Sequence, residues 1–354
     1  MAFIAQNMQC QSQKGIWLTD IASEALDSKE GIIEVVQNCK SYGIDQIYVV
    51  VWNRGYTLYP SEIMARQFGK KISPRFADRD MLRELITIAH SEDLKVHAWF
   101  EFGFSSSYED SSGGHILSAK PEWKAIDING NLVTKNGFQW MNAFHPEVQD
   151  FLLSLIIEVV RHYDIDGIQG DDRLPANPST AGYDDFTVTI YKEEHEGKEP
   201  PKDFKDEEWV DWRAKRLNLF AEKIYRKVKA LKPNVAVTMA PSIYPWSKEE
   251  YLQDWPSWVE NGWLDAVIPQ VYRYNIKNYR NTLDANLTFM PENGIIDMIP
   301  GILLRVDEYT PTEKFLKKMI KVNRKRGLDA EVFFFYEGLK YHDNFFKSTY
   351  PTIK

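Results

Sequence analysis

Cysteine and histidine are scarce in this chain. Two cysteines, Cys10 and Cys39, in 354 residues exclude a disulfide-rich scaffold and a Cys-based zinc cluster. The seven histidines are dispersed, with no H-x-x-x-H spacing. The set left for a metal-assisted deacetylase is Asp20, His97 and His145, should the fold bring them together. No metal or other cofactor is expected. No apolar run approaches the 18 residues that would span a bilayer. Met1 to Ala5 lack the basic flank and long apolar stretch of a signal peptide, so a cytoplasmic chain and a trimmed exported one are both open. No G-x-G-x-x-G or Walker A sequence is present for a nucleotide, and no G-x-S-x-G elbow for a nucleophilic serine. Basic charge is in deficit: 43 Lys and Arg against 51 Asp and Glu, net -8, with no basic block. Phosphate neutralisation needs a basic face, so nucleic acid is not an expected partner.

Aromatic residues are plentiful, at 11 Trp, 18 Tyr and 19 Phe. Such density suits stacking surfaces and cores alike. An amphipathic helix, a short turn and an apolar strand recur along the chain. The turns include Tyr42-Gly43-Ile44-Asp45, Tyr163-Asp164-Ile165-Asp166-Gly167 and Trp263-Leu264-Asp265. The apolar runs are Gly15 to Thr19, Gln46 to Trp52, Lys95 to Phe100, Gly167 to Gly170, Val235 to Met239, Ala266 to Val271, Ile295 to Leu303 and Val332 to Tyr336. Continuous rather than alternating apolarity fits parallel strands covered on both faces. Eight such strands alternating with helices predict an α/β fold, a single-domain (β/α)8 TIM barrel over residues 15–347, with tails at 1–14 and 348–354. About 40 residues, Phe102 to His145, follow strand three, and over 30, Arg173 to Asp206, follow strand four. Long loops on one rim place the site at the C-terminal ends of the strands.

Polar residues collect there. Glu101, Asp171, Asp172 and Glu337 fall at strand ends, and paired carboxyl groups are what glycoside hydrolysis requires: one protonates the leaving oxygen, the other attacks the anomeric carbon or activates water. Burial and like charge can hold one proton while the partner stays ionised. Trp52, Tyr56, Trp99, Tyr272 and Tyr336 would offer faces for sugar rings, and Asn53, Arg54, Gln270 and Arg273 would bind hydroxyls. Neighbours on a strand point to opposite faces, so Gln169 and Asp171 share one parity and Gly170 and Asp172 the other. The polar pair suits the inner side and favours Asp171 as nucleophile or base, with Glu101 or Glu337 as acid. Asp172 is left to hold the following loop, bind a hydroxyl or cap a helix. Strand-end carboxylates also pair with arginines, and Arg54, Arg173 and Arg273 are at hand. A barrel that binds glycans without cutting them would use the same rings. His97, inside strand three, reads as a hydrogen-bonded core residue, and Trp17, Trp209 and Trp212 as packing.

Several segments carry a likeness. Gly15 to Thr19, Val50 to Ser61, Trp99-Phe100-Glu101-Phe102-Gly103-Phe104, Phe144 to Val148, Asp166 to Gln169, Asp171-Asp172, Gln270-Val271-Tyr272-Arg273 and Phe333 to Glu337 resemble, in order, the bacterial glycosyl-hydrolase-like family 10. The resemblance runs from about residue 15 to 340. It implies a TIM barrel, glycoside hydrolysis and a polysaccharide or oligosaccharide substrate. Some relatives are exported and cut peptidoglycan strands stripped of peptides, which points to a periplasmic or extracellular site. The implied site holds Glu101, Asp171, Asp172, Gln270, Tyr272 and Glu337, with Asn142 and His145 on the loop after strand three. The chain departs from the pattern at Gly170, commonly a bulky aromatic, which would leave space beside the carboxylates. It departs again at Arg173, often histidine, whose charge would lower an acid's pKa or bind an anionic sugar.

Overall fold

The computed structural model describes residues 13–291, 294 and 296–350. Eight parallel strands form the barrel: β1 Lys14–Leu18, β2 Gln46–Asn53, β3 Lys95–Phe100, β4 Gly167–Gly170, β5 Ala236–Met239, β6 Ala266–Val267, β7 in two pieces, Asp297–Met298 and Gly301–Leu303, and β8 Glu331–Phe334. Each strand pairs with the next in sequence, and β1 pairs with β8. The first piece of β7 bonds to β6 and the second to β8, with a bridge from Gln270 to Gly301 between them, which closes the ring. Sheet closure leaves no edge to protect.

Helices cover the outside: α1 Lys29–Ser41, α2 Met81–His90, α3 Pro146–His162, α4 Glu207–Leu231, α5 Trp255–Glu260, α6 Ile276–Leu287, α7 Glu313–Arg324 and α8 Asp343–Thr349. The expected C-terminal tail begins too early. Ser348 and Thr349 finish α8, and Tyr350 is buried with its hydroxyl donating to Glu331 at 3.1 Å. Residues 1–12 and 351–354 of the expected tails lie outside the described residues.

The aspartates that close the helix-to-strand turns have a shared task. Asp45 accepts from the Lys14 amide at 2.9 Å, Asp166 from Val96 at 2.8 Å and Asp265 from Val237 at 2.6 Å. Each side chain satisfies an N–H at the start of the neighbouring strand, where the ladder has no backbone partner to offer.

Inside the barrel, side chains stack in layers. His97 lies on Tyr48, ring centroids 4.5 Å apart, and Gly167 makes room because a Cβ there would meet His97 Nδ1 at 2.2 Å. His97 is a core residue, as expected, but neither ring nitrogen finds a hydrogen-bond partner among the described residues. Burial lowers its pKa to about 4. Above it, Trp17 packs against Tyr48, Trp99 and Phe334 and donates to Gln169 Oε1 at 2.6 Å. The inward parity of Gln169 is therefore as read.

A β-bulge decides what reaches the mouth from β2. Val50 pairs with Trp99, but Trp52, not Val51, pairs with Phe100. The extra residue reverses the alternation, turning Trp52 outward and Asn53 inward. The chain then folds back through Asn53-Arg54-Gly55-Tyr56, with φ of 50° and 80° at the two central residues. Both values belong to a type I′ hairpin turn, which the twist of paired strands favours. Gly55 is required twice over, because a Cβ would also meet the Ser106 carbonyl at 2.3 Å. The long loop after β3 carries its own three-stranded antiparallel sheet, Ser105–Tyr108, Thr134–Lys135 and Phe138–Trp140. The loop after β4 carries the helix Asp185–Glu194.

Candidate active site

The top layer of the barrel is polar, and it begins with Glu101. The carboxyl is buried, 4% exposed, just past β3. Its Oε2 accepts from Thr19 at 2.9 Å and from Asn53 Nδ2 at 3.0 Å, while Oε1 takes no hydrogen bond from a described residue. Asn53 Nδ2 also donates to Asp20 Oδ1 at 2.8 Å, so one amide bridges two acids. Burial first, then the charge of Asp20 and next that of Asp171, push the Glu101 pKa well above its ordinary value, against lowering by Thr19 and Arg173. Glu101 thus keeps its proton beyond the pH at which an exposed carboxyl loses it.

The adjacent aspartates differ sharply. Asp171 is buried, and both its oxygens are taken by backbone amides, Oδ2 by Phe102 at 2.7 Å and Oδ1 by Arg173 at 2.9 Å. Its own carbonyl accepts from Gln253 Nε2 at 2.8 Å. Burial and the Asp172 charge raise Asp171 to about 7, against Arg173 and the two amides. Asp171 works as a clasp tying the loop after β3 to the loop after β4. Asp172 keeps 13% of its side chain exposed and pairs with Arg173 Nη1 at 2.7 Å. The Arg173 guanidinium lies 4.8 Å over the Phe102 ring and 5.2 Å over Phe138, which fixes it between aromatic faces. Opposite, Tyr272 packs on Phe334, and its hydroxyl is held well above its usual pKa by burial and by the charge of Asp172. Asp172 is therefore the less enclosed acid of the pair, and its charge reaches Tyr272.

Other expected site residues fall elsewhere. Trp52 is fully buried, its Nε1 donating to the Gly103 carbonyl at 2.8 Å and its ring edge-on to Phe151, because the bulge turned it outward. Trp99 is 4% exposed beside Trp17 and floors the mouth, its Nε1 without a partner among the described residues. Tyr336 leaves the barrel: β8 ends at Phe334, a 3₁₀ turn follows, and the phenol accepts from Asn38 of α1 at 2.9 Å. Glu337 accepts from Ser23 at 2.9 Å, pairs with Lys340 at 3.0 Å, and lines a cavity of about 470 Å³ with Asp20 and Arg75 on the β1–β8 side. Asn142 is buried, bonded to Thr187 and to the Phe144 amide, where it anchors the loop to the helix Asp185–Glu194. His145 caps α3 and packs on Phe186. His97, Asp20 and His145 are accordingly not brought together, and no group of three or more His, Cys, Asp or Glu among the described residues is placed to hold a metal ion.

Among the expected hydroxyl binders, Arg54 is exposed over the Tyr108 ring at 5.4 Å, and Tyr56 leans on His115. Gln270 donates to the Ala240 carbonyl at 3.2 Å, and Arg273 braces its own loop through Thr282 and the Tyr272 carbonyl. Gly170 opens no space beside the carboxylates, since a Cβ there would meet the Leu174 carbonyl at 2.4 Å. Rings that strand positions did not single out stand on the loops after β3, β5, β6 and β8: Tyr108, Trp246, Tyr274 and Tyr341 are each at least 40% exposed. A cavity of about 630 Å³ lies on the outer wall among Arg66, Arg83 and Glu158 and contains none of the mouth carboxylates.

Comparison with known proteins shows the family and the fold. The family model described as "Glycosyl hydrolase-like 10" matches residues 12–334. "Glycosyl hydrolase DigH" of Escherichia coli strain K12 is 25% identical over 306 residues, covering 74% of this chain and 66% of the relative. "Glycosyl hydrolase YngK" of Bacillus subtilis is 23% identical over 301 residues, covering 76% and 56%. The chain thus spans under two thirds of the length of either relative. Among solved structures, the glycoside hydrolase domain of PgaB (BpsB) from Bordetella bronchiseptica superposes with TM-score 0.68 at 12% identity, covering 94% of this chain and 96% of that one. The catalytic domain of a Paenibacillus polymyxa β-amylase gives 0.64 at 11%, covering 96% and 98%. These superpositions establish the fold.

Proposed function

Since the chain belongs to the glycosyl hydrolase-like 10 family, we propose that it cleaves O-glycosidic bonds of a polysaccharide with Glu101 as proton donor and Asp172 as its partner acid. The observation that carries this reading is the contrast between two carboxyls at neighbouring strand ends: Glu101 buried and proton-retaining, Asp172 partly exposed and held by Arg173. Glycoside hydrolysis needs that division of labour. Glu101 Oε1 protonates the leaving oxygen as the bond to the anomeric carbon breaks. Asp172 meets the positive charge that develops on the sugar, either by bonding to the anomeric carbon or by taking a proton from the attacking water. Asp171 positions Asp172 by fixing the backbone on both sides of the β3–β4 crevice. Tyr272, Phe334 and the Trp99 floor offer the apolar surface, and Tyr108, Trp246, Tyr274 and Tyr341 extend it along the rim.

A glycan-binding barrel without turnover would use the same rings but has no need of a buried, protonated Glu101. Incubation with a polysaccharide panel that includes peptidoglycan strands stripped of peptides, followed by mass analysis of products, separates the two. Shorter glycans released by the parent protein and not by Glu101→Gln are the expected result. Binding without release, or release that Glu101→Gln leaves intact, would remove this reading.

A further inference from the structure

The Asp20 carboxyl is built into the top layer beside Glu101. It follows β1, and its Oδ1 shares the single Asn53 Nδ2 with Glu101 Oε2, at 2.8 and 3.0 Å. From the other side it is anchored: Arg75 Nη1 lies 3.8 Å from Asp20 Oδ2 and donates to the Asp20 carbonyl at 2.5 Å. The same guanidinium grips Asp27 with Nε and Nη2 at 2.7 and 2.8 Å and donates to the Ser23 carbonyl at 2.8 Å. An arginine held by four acceptors is a fixed point, and it holds the Asp20 loop against the mouth.

We propose that Asp20 is a positioning residue for Glu101, keeping that carboxyl in its proton-bearing state and its Oε1 turned to the leaving oxygen through the shared Asn53 amide. This rests on Glu101 being the proton donor. Two carboxyls that share one donor sit close together, Glu101 buried and Asp20 partly so, and two like charges there are costly, so one keeps a proton. Asp20 has Arg75 beside it, whereas Glu101 touches only the neutral donors Thr19 and Asn53. The proton therefore belongs on Glu101. The other charged groups facing Glu101 are Asp171 and Arg173 from the end of β4; those around Asp20 are Arg75, Glu24 and Glu337, which line one cavity with it. Of the two acids, Asp20 raises the Glu101 pKa more than Asp171 does.

The test is a carbon-13 titration of the glutamate side-chain carboxyls, with the Glu101 signal assigned by its loss in Glu101→Gln. It needs no substrate, so its outcome stands apart from whether a glycan is cleaved. In the parent protein the Glu101 midpoint should lie above those of the exposed glutamates. In Asp20→Asn it should fall by a unit or more, and Asp20→Glu should restore most of the difference. The alkaline limb of the kcat profile should move down by the same amount, with KM little changed. An unchanged Glu101 midpoint in a folded Asp20→Asn would overturn the proposal. If Asp20→Asn does not fold, Arg75→Gln, which frees the Asp20 loop, should shift the same signal, and no shift there would count equally against it.

Discussion

Asp171 and Asp172 are neighbours with unlike consequences. Asn at 171 has one oxygen for two backbone donors, so the amide of Phe102 or Arg173 is left facing an NH₂ group. An unsatisfied buried donor costs about 1–3 kcal/mol. Asp171→Asn should therefore lower the melting temperature by several degrees and reduce activity along with it. Asn at 172 still accepts from Arg173, so Asp172→Asn should melt close to the parent while kcat on a responsive glycan falls by at least about 100-fold. Calorimetry and steady-state kinetics on the two variants check this, and the reverse pattern would return the chemical role to Asp171. Strand parity had favoured Asp171 because Gln169 and Asp171 share a face, and Gln169 does point inward. What parity could not show is that two backbone amides from different loops would occupy the carboxylate, since those donors come from over 60 residues away in one case.

The strands were legible because a barrel strand, buried on both faces, must be an apolar run, and each was closed off by a turn. Irregularities at strand ends were not legible. One extra residue in β2 exchanges Trp52 for Asn53 at the mouth, and the early end of β8 sends Tyr336 to α1. Neither leaves a periodic mark, and both moved rings that strand position alone had assigned to the mouth. Side-chain caps between elements are equally hidden. The helix Glu62–Phe68 docks on α3 through buried Glu158, which accepts from the Ser61 hydroxyl at 2.5 Å and from the amides of Glu62 and Ile63 at 2.9 and 3.2 Å. Glu158→Ala strands those donors, and a loss of about 2 kcal/mol or more is expected. Urea unfolding would register it as a lower midpoint with activity of the folded fraction unaltered, because Glu158 lies outside the mouth.

For the whole molecule, raised acids make stability depend on pH. Burial pushes Asp171 up from 3.8 to about 7 and holds Glu101 well above its ordinary 4.5. The native state then binds more protons than the unfolded chain above pH 4, so the contribution of both groups is complete below pH 4 and declines as pH rises, that of Asp171 being lost through about 7. Glu101→Gln retains an oxygen for Thr19 and Asn53 but cannot release a proton. Its melting temperature relative to the parent should climb from pH 5 to pH 8, and a flat difference would show that Glu101 titrates normally.

The central claim, that Glu101 gives its proton to the leaving oxygen, is met most directly by comparing leaving groups. Glu101→Gln should lose about 10²- to 10⁴-fold in kcat on a natural oligosaccharide, whose alkoxide departs only when protonated. On a dinitrophenyl glycoside of the same sugar, which departs without help, it should stay within about tenfold of the parent. Equal losses on both substrates, or none on either, would contradict the assignment.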